Sequence, residues 1–182
     1  MNVNKTTREI VLIALMSAIM CIMGPISVPL PGNLVPISLT NLVIYFTLYV
    51  IGMNHGTISY LIYLLIGLVG LPVFSHFTGG AGKFFGPTGG YLIGFIFMAI
   101  IAGFFIDKFP NRRLLCILGM VLGTAVCYVF GTAWLAYQAG YSFAVALSNG
   151  VIPFLPGDCI KIVLAAILGP QIKIRLKKAG LI

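Results

Sequence analysis

Two charged side chains stand alone in a long uncharged part of the sequence. Between positions 114 and 172 the only charged residues are Asp158 and Lys161, three positions apart. At that spacing on a helix they can pair with each other, which is one explanation of their presence. A carboxylate supplies acceptors and an ammonium group supplies a positive charge for an acid. Because charges inside apolar segments are costly and commonly mark a ligand or ion site, we predict that both bind a ligand.

A second motif, GPTGGY at 86–91, stands at the predicted start of a helix. Thr88 has the side chain of an N-cap, and Gly89 and Gly90 would leave the first N–H groups of the helix uncovered. Such groups, at the positive end of the helix dipole, favour an anionic or carbonyl-bearing ligand. Tyr91 adds a ring and a hydroxyl. Close helix packing explains the glycines equally well, so both interpretations stay open.

A glycine-rich loop with four phenylalanines covers 74–85. It contains GAGK but is not a phosphate-binding P-loop. That motif needs glycine where Phe77 stands, and serine or threonine where Phe84 stands. The loop is better suited to form an apolar pocket wall.

These features together predict a pocket for a small solute with polar groups and an apolar body. The sequence offers no catalytic set, because it has only three acidic residues and two well-separated histidines. None of its four cysteines forms a CxxC pair, so neither a metal site nor a disulfide is predicted. The chain is therefore predicted not to be an enzyme.

The composition is that of an integral membrane protein. Of the 182 residues, 60% are hydrophobic and 8% are charged, whereas a soluble domain carries about 25% charged residues. A soluble enzyme and a nucleic-acid-binding protein are thereby disfavoured. Since a span needs about 20 residues, we predict an all-α membrane protein with six transmembrane helices, forming one domain over residues 1–182.

The charges and prolines predict how the chain is oriented. The predicted helices cover 6–23, 39–52, 56–72, 88–106, 113–138 and 158–169. With a cytoplasmic N-terminus, nine of the eleven lysines and arginines lie inside, so both termini are predicted to be cytoplasmic. The outer connections are long and hold eight of the ten prolines, which predicts stiff, functional loops.

The first helix carries a small-xxx-small pattern at Ala14 and Ala18. Such a pattern permits close helix approach. The partner is either another helix of this chain or another subunit, and the pattern alone does not distinguish them.

Three segments resemble the BioY family, the biotin-binding S components of energy-coupling factor (ECF) transporters. They are VPLPGNLVPISLTNL at 28–42, GLVGLPVFSHFTGGAGKFFGPTGGYLIGF at 67–95 and PFLPGDCIK at 153–161. The resemblance implies six transmembrane helices and a biotin pocket near the outer face of a prokaryotic cell membrane. It also implies a membrane-embedded T component and two ATPase subunits as partners, with ATP used by those subunits.

The resemblance also assigns residues. It implies that Ala14 and Ala18 dock on the T component. The implied biotin-binding residues are Asp158, Lys161, Thr88, Gly89, Gly90 and Tyr91, with loop contributions from Asn41, Phe74, Gly79 and Lys83.

Two positions depart from the family's usual pattern. Thr40 stands where members commonly have glutamine, and the stretch 75–78 replaces the usual small residues. The chain is predicted to capture biotin outside the cell and to deliver it to the cytoplasm with ATPase partners, holding no cofactor itself. Two alternatives stay open: a solitary carrier for biotin or another vitamin, and a non-transporting membrane assembly protein.

Overall fold

The computed structural model describes residues 3–28 and 35–182, with side chains from Thr6 onward. This part of the chain contains seven helices and a two-stranded antiparallel ribbon. Positions 29–34 of the first predicted outer loop lie outside the described residues. In chain order the elements are α1 (Val3–Met23), β1 (Ser27–Val28), β2 (Ile37–Ser38), α2 (Thr40–Leu68), α3 (Ala81–Phe84), α4 (Gly89–Lys108), α5 (Arg113–Ala139), α6 (Phe143–Gly150) and α7 (Leu155–Lys178).

Several of these helices can cross a membrane. Within the described ranges, α1, α2, α4 and α5 are long and apolar enough to do so. Helices α6 and α7 meet at 48° and make a fifth crossing if they are taken together. The protein is therefore a mostly helical, multi-pass membrane protein, although its helices do not correspond one to one to the six predicted.

Helix α2 consists of two arms joined by a reversal at Gly52. Gly52 has φ 79° and ψ 179°, a conformation that residues with a side chain rarely adopt. A β-carbon on Gly56 would lie 3.6 Å from the Cα of Leu48, whereas eight residues of straight helix span about 12 Å. The chain therefore folds back here as a helical hairpin. Its turn lies slightly earlier than the 53–56 connection that the sequence predicts.

The carboxylate of Asp107, at the end of α4, holds this turn. Its Oδ2 accepts a hydrogen bond from the N–H of Met53 at 2.8 Å, satisfying one of the donors that a helix start leaves free. A β-carbon on Gly52 would lie 3.1 Å from the same oxygen. The turn thus favours glycine for its dihedral angles, and a β-carbon there would also crowd the carboxylate of Asp107.

Two predicted boundaries are wrong. The connection 139–157 is predicted as a loop, but it contains α6, at whose start the hydroxyl of Ser142 accepts a hydrogen bond from the N–H of Val145. The last helix is predicted to cover 158–169 and to bend or break there, yet α7 stays helical through Pro170 to Lys178. Gly169 packs directly against the ring of Tyr49, so tertiary packing supports the helix next to the proline.

Helices α4 and α5 make the most extensive helix–helix contact. The helices approach closely because glycines stand where a β-carbon would overlap the neighbouring helix, Gly94 against Cys127 and Gly123 against Met98. Small residues are the usual means by which membrane helices pack closely. This pairing fixes the start of α4 beside α5.

We expect Gly52→Ala to lower the free energy of unfolding by about 1–2 kcal/mol, because a β-carbon is strained at this positive φ. The measurement is unfolding in detergent micelles titrated with sodium dodecyl sulfate. Gly157→Ala is the matched control, since a β-carbon there meets nothing within 4 Å; it should change stability by less than about 0.5 kcal/mol. Equal stability of the wild type and Gly52→Ala would contradict the hairpin geometry.

Candidate functional site

A cavity opens between the N-terminal ends of α2, α4 and α7, with α5 along one side. Its volume is about 710 Å³, counting the space open to solvent at its mouth. Six aromatic residues contribute to its wall. The rings that line it belong to Tyr63, Phe74, Tyr91, Phe95, Tyr128 and Phe154.

The carboxylate of Asp158, in the first turn of α7, is the polar centre of this cavity. Its Oδ1 accepts a hydrogen bond from the amide of Asn41 at 2.8 Å and another from the ammonium group of Lys161 at 2.9 Å. Its Oδ2 accepts a hydrogen bond from the hydroxyl of Tyr128. Asp158 is only 8% exposed, and a buried carboxylate is costly unless it is paired and hydrogen-bonded. Donors from three helices meet that requirement.

Lys161 connects the same centre to the ribbon. Besides Asp158 it donates to the backbone carbonyl of Ser38 in β2, at 2.7 Å. An ammonium group has three donors, so one is left for a ligand. The ion pair that the sequence allowed is therefore present, and both of its members also line the cavity.

Thr88 lies on the cavity wall just before α4. Contrary to the prediction, its side chain makes no capping hydrogen bond. Its hydroxyl is buried and has no hydrogen-bond partner among the described residues. Leaving such a group unsatisfied costs about 1–3 kcal/mol. A ligand that bonds to it would remove that cost.

Lys83, on the short helix α3, brings a second cation to the cavity wall. Within residues 3–28 and 35–182 it forms no ion pair or hydrogen bond through its side chain. Partial burial lowers the pKa of its ammonium group, because burial penalises the charged form. An acidic group on a ligand would compensate for that penalty.

Two aromatic residues predicted for the site line the cavity through their rings. Tyr91 donates its hydroxyl to the backbone carbonyl of Gly150 at 2.8 Å. That group therefore ties α4 to the end of α6, and the ring forms part of the cavity wall. The ring of Phe74 packs edge-on against that of Tyr63, with centroids 5.6 Å apart. Both side chains are thus held in place by the fold.

Three residues predicted for the site do not line the cavity: Gly79, Gly89 and Gly90. Each lies where a β-carbon would overlap a neighbouring carbonyl or side chain. The N–H of Gly89 donates to the carbonyl of Gly86 at 3.0 Å, so it is not free for an anion. In the fold, Gly89 packs against the backbone of Phe84 and Gly90 against the side chain of Trp134.

Sequence reasoning missed the contribution of α5. Thr124, Cys127 and Tyr128 all line the cavity. They stand at i, i+3 and i+4, which places them on one face of the helix. Three side chains with polar atoms on one face of a largely apolar span are a pattern from which this contribution could have been predicted.

The site therefore combines fixed donors and acceptors with an aromatic wall. Within the described ranges, no cluster of three or more His, Cys, Asp and Glu side chains could hold a metal ion. The arrangement suits binding of a small molecule that carries both polar groups and an apolar body.

Comparison with known proteins supports a binding role. The family model for the BioY family matches residues 1–178. The chain belongs to the BioY family. A protein named "Biotin transporter BioY" from Thermotoga maritima is 36% identical over 166 residues, covering 91% of this chain and 96% of that protein. Another of the same name from Rhizobium etli is 37% identical over 179 residues, covering 93% and 95%. Both relatives are named as transporters, and transport is not an enzymatic activity.

A solved structure extends the likeness to the fold. It is described as the S-component for biotin from an ECF-type ABC transporter. It matches this chain with a TM-score of 0.87 at 31% identity, covering 95% of this chain and 94% of its own. The helices described above are thus arranged as in that S-component.

We expect Lys161→Met to lower the free energy of unfolding by about 3 kcal/mol, because it leaves a buried carboxylate without its counter-charge. Adding Asp158→Asn should recover part of that loss, so that the double variant is more stable than additivity predicts. The measurement is again unfolding in mixed micelles. Lys178→Met removes an exposed cation from the same helix and should change stability by less than about 0.5 kcal/mol. Additive effects of the two substitutions would show that the pair does not act as a unit.

Proposed function

We propose that this chain is the biotin-capturing subunit of an ECF-type importer. The observation that carries the proposal is the buried Asp158–Lys161 pair facing an aromatic cavity. In a member of the BioY family, whose relatives are named biotin transporters, such a cavity is suited to biotin.

The chemistry of biotin fits the groups on the wall. Its ureido ring has two N–H donors and one carbonyl, its fused rings are otherwise apolar, and its side chain ends in a carboxylate. Asp158 is suited to accept from a ureido N–H, and the remaining donor of Lys161 to reach the ureido carbonyl. Lys83, which has no partner in the described residues, is suited to the carboxylate.

Further polar and apolar contacts complete the proposed pocket. The hydroxyl of Thr88 is free to bond to a ligand, and Asn41 orients the carboxylate of Asp158. The rings of Phe74 and Tyr91 would pack against the fused rings of biotin. The proposed contacts leave out Gly79, Gly89 and Gly90, which do not line the cavity.

We also propose six membrane crossings with both termini in the cytoplasm. The reversal at Gly52 separates α2 into two arms. With these arms counted separately, α1, α4, α5 and α7 bring the number of crossings to six. Most lysines and arginines fall at the end of the helices away from the Asp158 cavity, which by the positive-inside rule is cytoplasmic. The cavity then opens to the outside of a prokaryotic cell membrane, and residues 1–182 act as one S-component domain.

Partner subunits would supply the energy. We propose a membrane-embedded T component and two ATPase subunits, with ATP used by the latter. Helix α1 offers the docking face: only 11% of the span Thr6–Met23 is buried, against 50% of Gly89–Lys108. Ala14 and Ala18 lie exposed on that helix, so close approach of a partner helix is possible there.

We expect the detergent-purified protein to bind biotin in isothermal titration calorimetry, and Lys83→Gln to weaken binding by roughly tenfold to a hundredfold through loss of a charge-assisted bond. Because Lys83 has no partner in the described fold, its loss should leave the unfolding temperature unchanged. Asp158→Asn and Lys161→Ala should weaken binding as well. Lys108→Gln, at the opposite end of α4, should bind as the wild type does. Failure of the folded wild-type protein to bind biotin would reject the proposed function.

We expect Ala14→Leu/Ala18→Leu to abolish ATP-dependent biotin uptake in cells and co-purification of the T component, because larger side chains prevent close helix approach. Biotin binding to the isolated subunit should be unchanged. Val129→Leu, an exposed position of α5, is the control for a bulkier side chain facing the membrane. Normal uptake by the double variant would remove α1 as the docking helix.

A further inference from the structure

A second cavity lies at the other end of the helices, remote from Asp158. It is formed by the start of α1, the hairpin turn of α2 and the end of α7, and its volume is about 680 Å³, counting the space open to solvent. Lys173, on its wall, follows Asp158 by fifteen residues of α7, which is about 22 Å along a helix. The two cavities are therefore lined by different parts of α7.

The wall of this cavity is positively charged. Arg8, Lys173 and Lys177 line it, and the one acidic residue among its lining residues is Glu9. None of these three cations forms an ion pair with another described residue. Lys173 and Lys177 stand at i and i+4 on one face of α7, where like charges repel. An anion between them would relieve that repulsion.

Apart from Glu9 and His55, the rest of the wall carries no polar side chain. Leu12 comes from α1, Val50 and Ile51 from α2, and Ile182 from the end of the chain. A free inorganic anion gains nothing from such a surface. A phospholipid has a phosphate for the cations and acyl chains for the apolar side chains, and basic pockets between transmembrane helices are known to hold lipid headgroups.

Topology alone does not explain the placement of these cations. Arg175 and Lys178 on the same last turns of α7 would serve the positive-inside rule and the helix dipole equally well. They do not line the cavity. What distinguishes Lys173 and Lys177 is that they converge with Arg8 on one concave, partly apolar site.

We propose that this cavity binds the phosphate headgroup of an anionic membrane phospholipid. Arg8, Lys173 and Lys177 hold the phosphate, and Leu12, Val50 and Ile51 contact the first part of an acyl chain. The proposal concerns a site separate from the biotin cavity, and it does not depend on which solute the protein transports.

The test is titration of the detergent-purified full chain with phosphatidylglycerol, read by native mass spectrometry of the lipid adducts. In detergent there is no charged bilayer surface to attract every lysine alike. Lys173→Gln/Lys177→Gln should bind phosphatidylglycerol roughly thirtyfold more weakly than the wild type. Arg175→Gln/Lys178→Gln removes the same charge from the same helix end outside the cavity, and should bind as the wild type does. Unfolding temperatures of both variants establish that they are folded.

The other outcomes overturn the proposal. Equal loss of lipid binding in both double variants would show that only net charge matters. Equal binding of phosphatidylcholine and phosphatidylglycerol by the wild type would show that the cations do not recognise an anionic headgroup. Displacement of phosphatidylglycerol by inorganic phosphate at equal concentration would make free phosphate the occupant. A folded Lys173→Gln/Lys177→Gln variant that keeps wild-type affinity would exclude the cavity as the site.

Discussion

A carboxylate buried among apolar helices is the constraint on which the rest of this structure depends. Asp158 would be costly to bury without donors, and the donors that reach it come from Asn41, Lys161 and Tyr128. Because these side chains stand on three different helices, satisfying one charge also fixes how α2, α5 and α7 lie relative to one another. The fold therefore has to arrange the polar centre of the cavity in order to be stable, and the site is ready before any solute arrives.

Much of this centre could be predicted from the sequence, because the physical signal is strong. Asp158 and Lys161 are the two charges in a 59-residue stretch that is otherwise uncharged. Their spacing and the cost of burying a charge were enough to predict that they can pair and that they mark a site. Tyr128 carried no such signal when taken singly, because a tyrosine in an apolar span is as easily a packing residue. Only the geometry of α5 shows that its hydroxyl points at Asp158.

The parts that could not be predicted depend on tertiary contacts. The turn of α2 is held by Asp107, which lies 54 positions after Met53 in the sequence. No local sequence pattern predicts that hydrogen bond. The glycines of GPTGGY permit both ligand contact and close packing. In the structure another part of the chain packs directly against Gly89 and Gly90, a contact that the local sequence does not reveal. Local propensity likewise predicts a break at Pro170, where packing of Gly169 against Tyr49 supports a continuous helix.

None of the described residues of α1 lines the Asp158 cavity, and few side chains of that helix are buried. The residues that line the cavity and the exposed alanine face therefore lie on different helices. Substitutions on α1 can change what the chain packs against in the membrane while the cavity keeps its chemistry. In evolutionary terms, such a subunit is free to adapt to a new partner without re-tuning its affinity for a solute. The residues that line the cavity can likewise change while the exposed face of α1 stays the same.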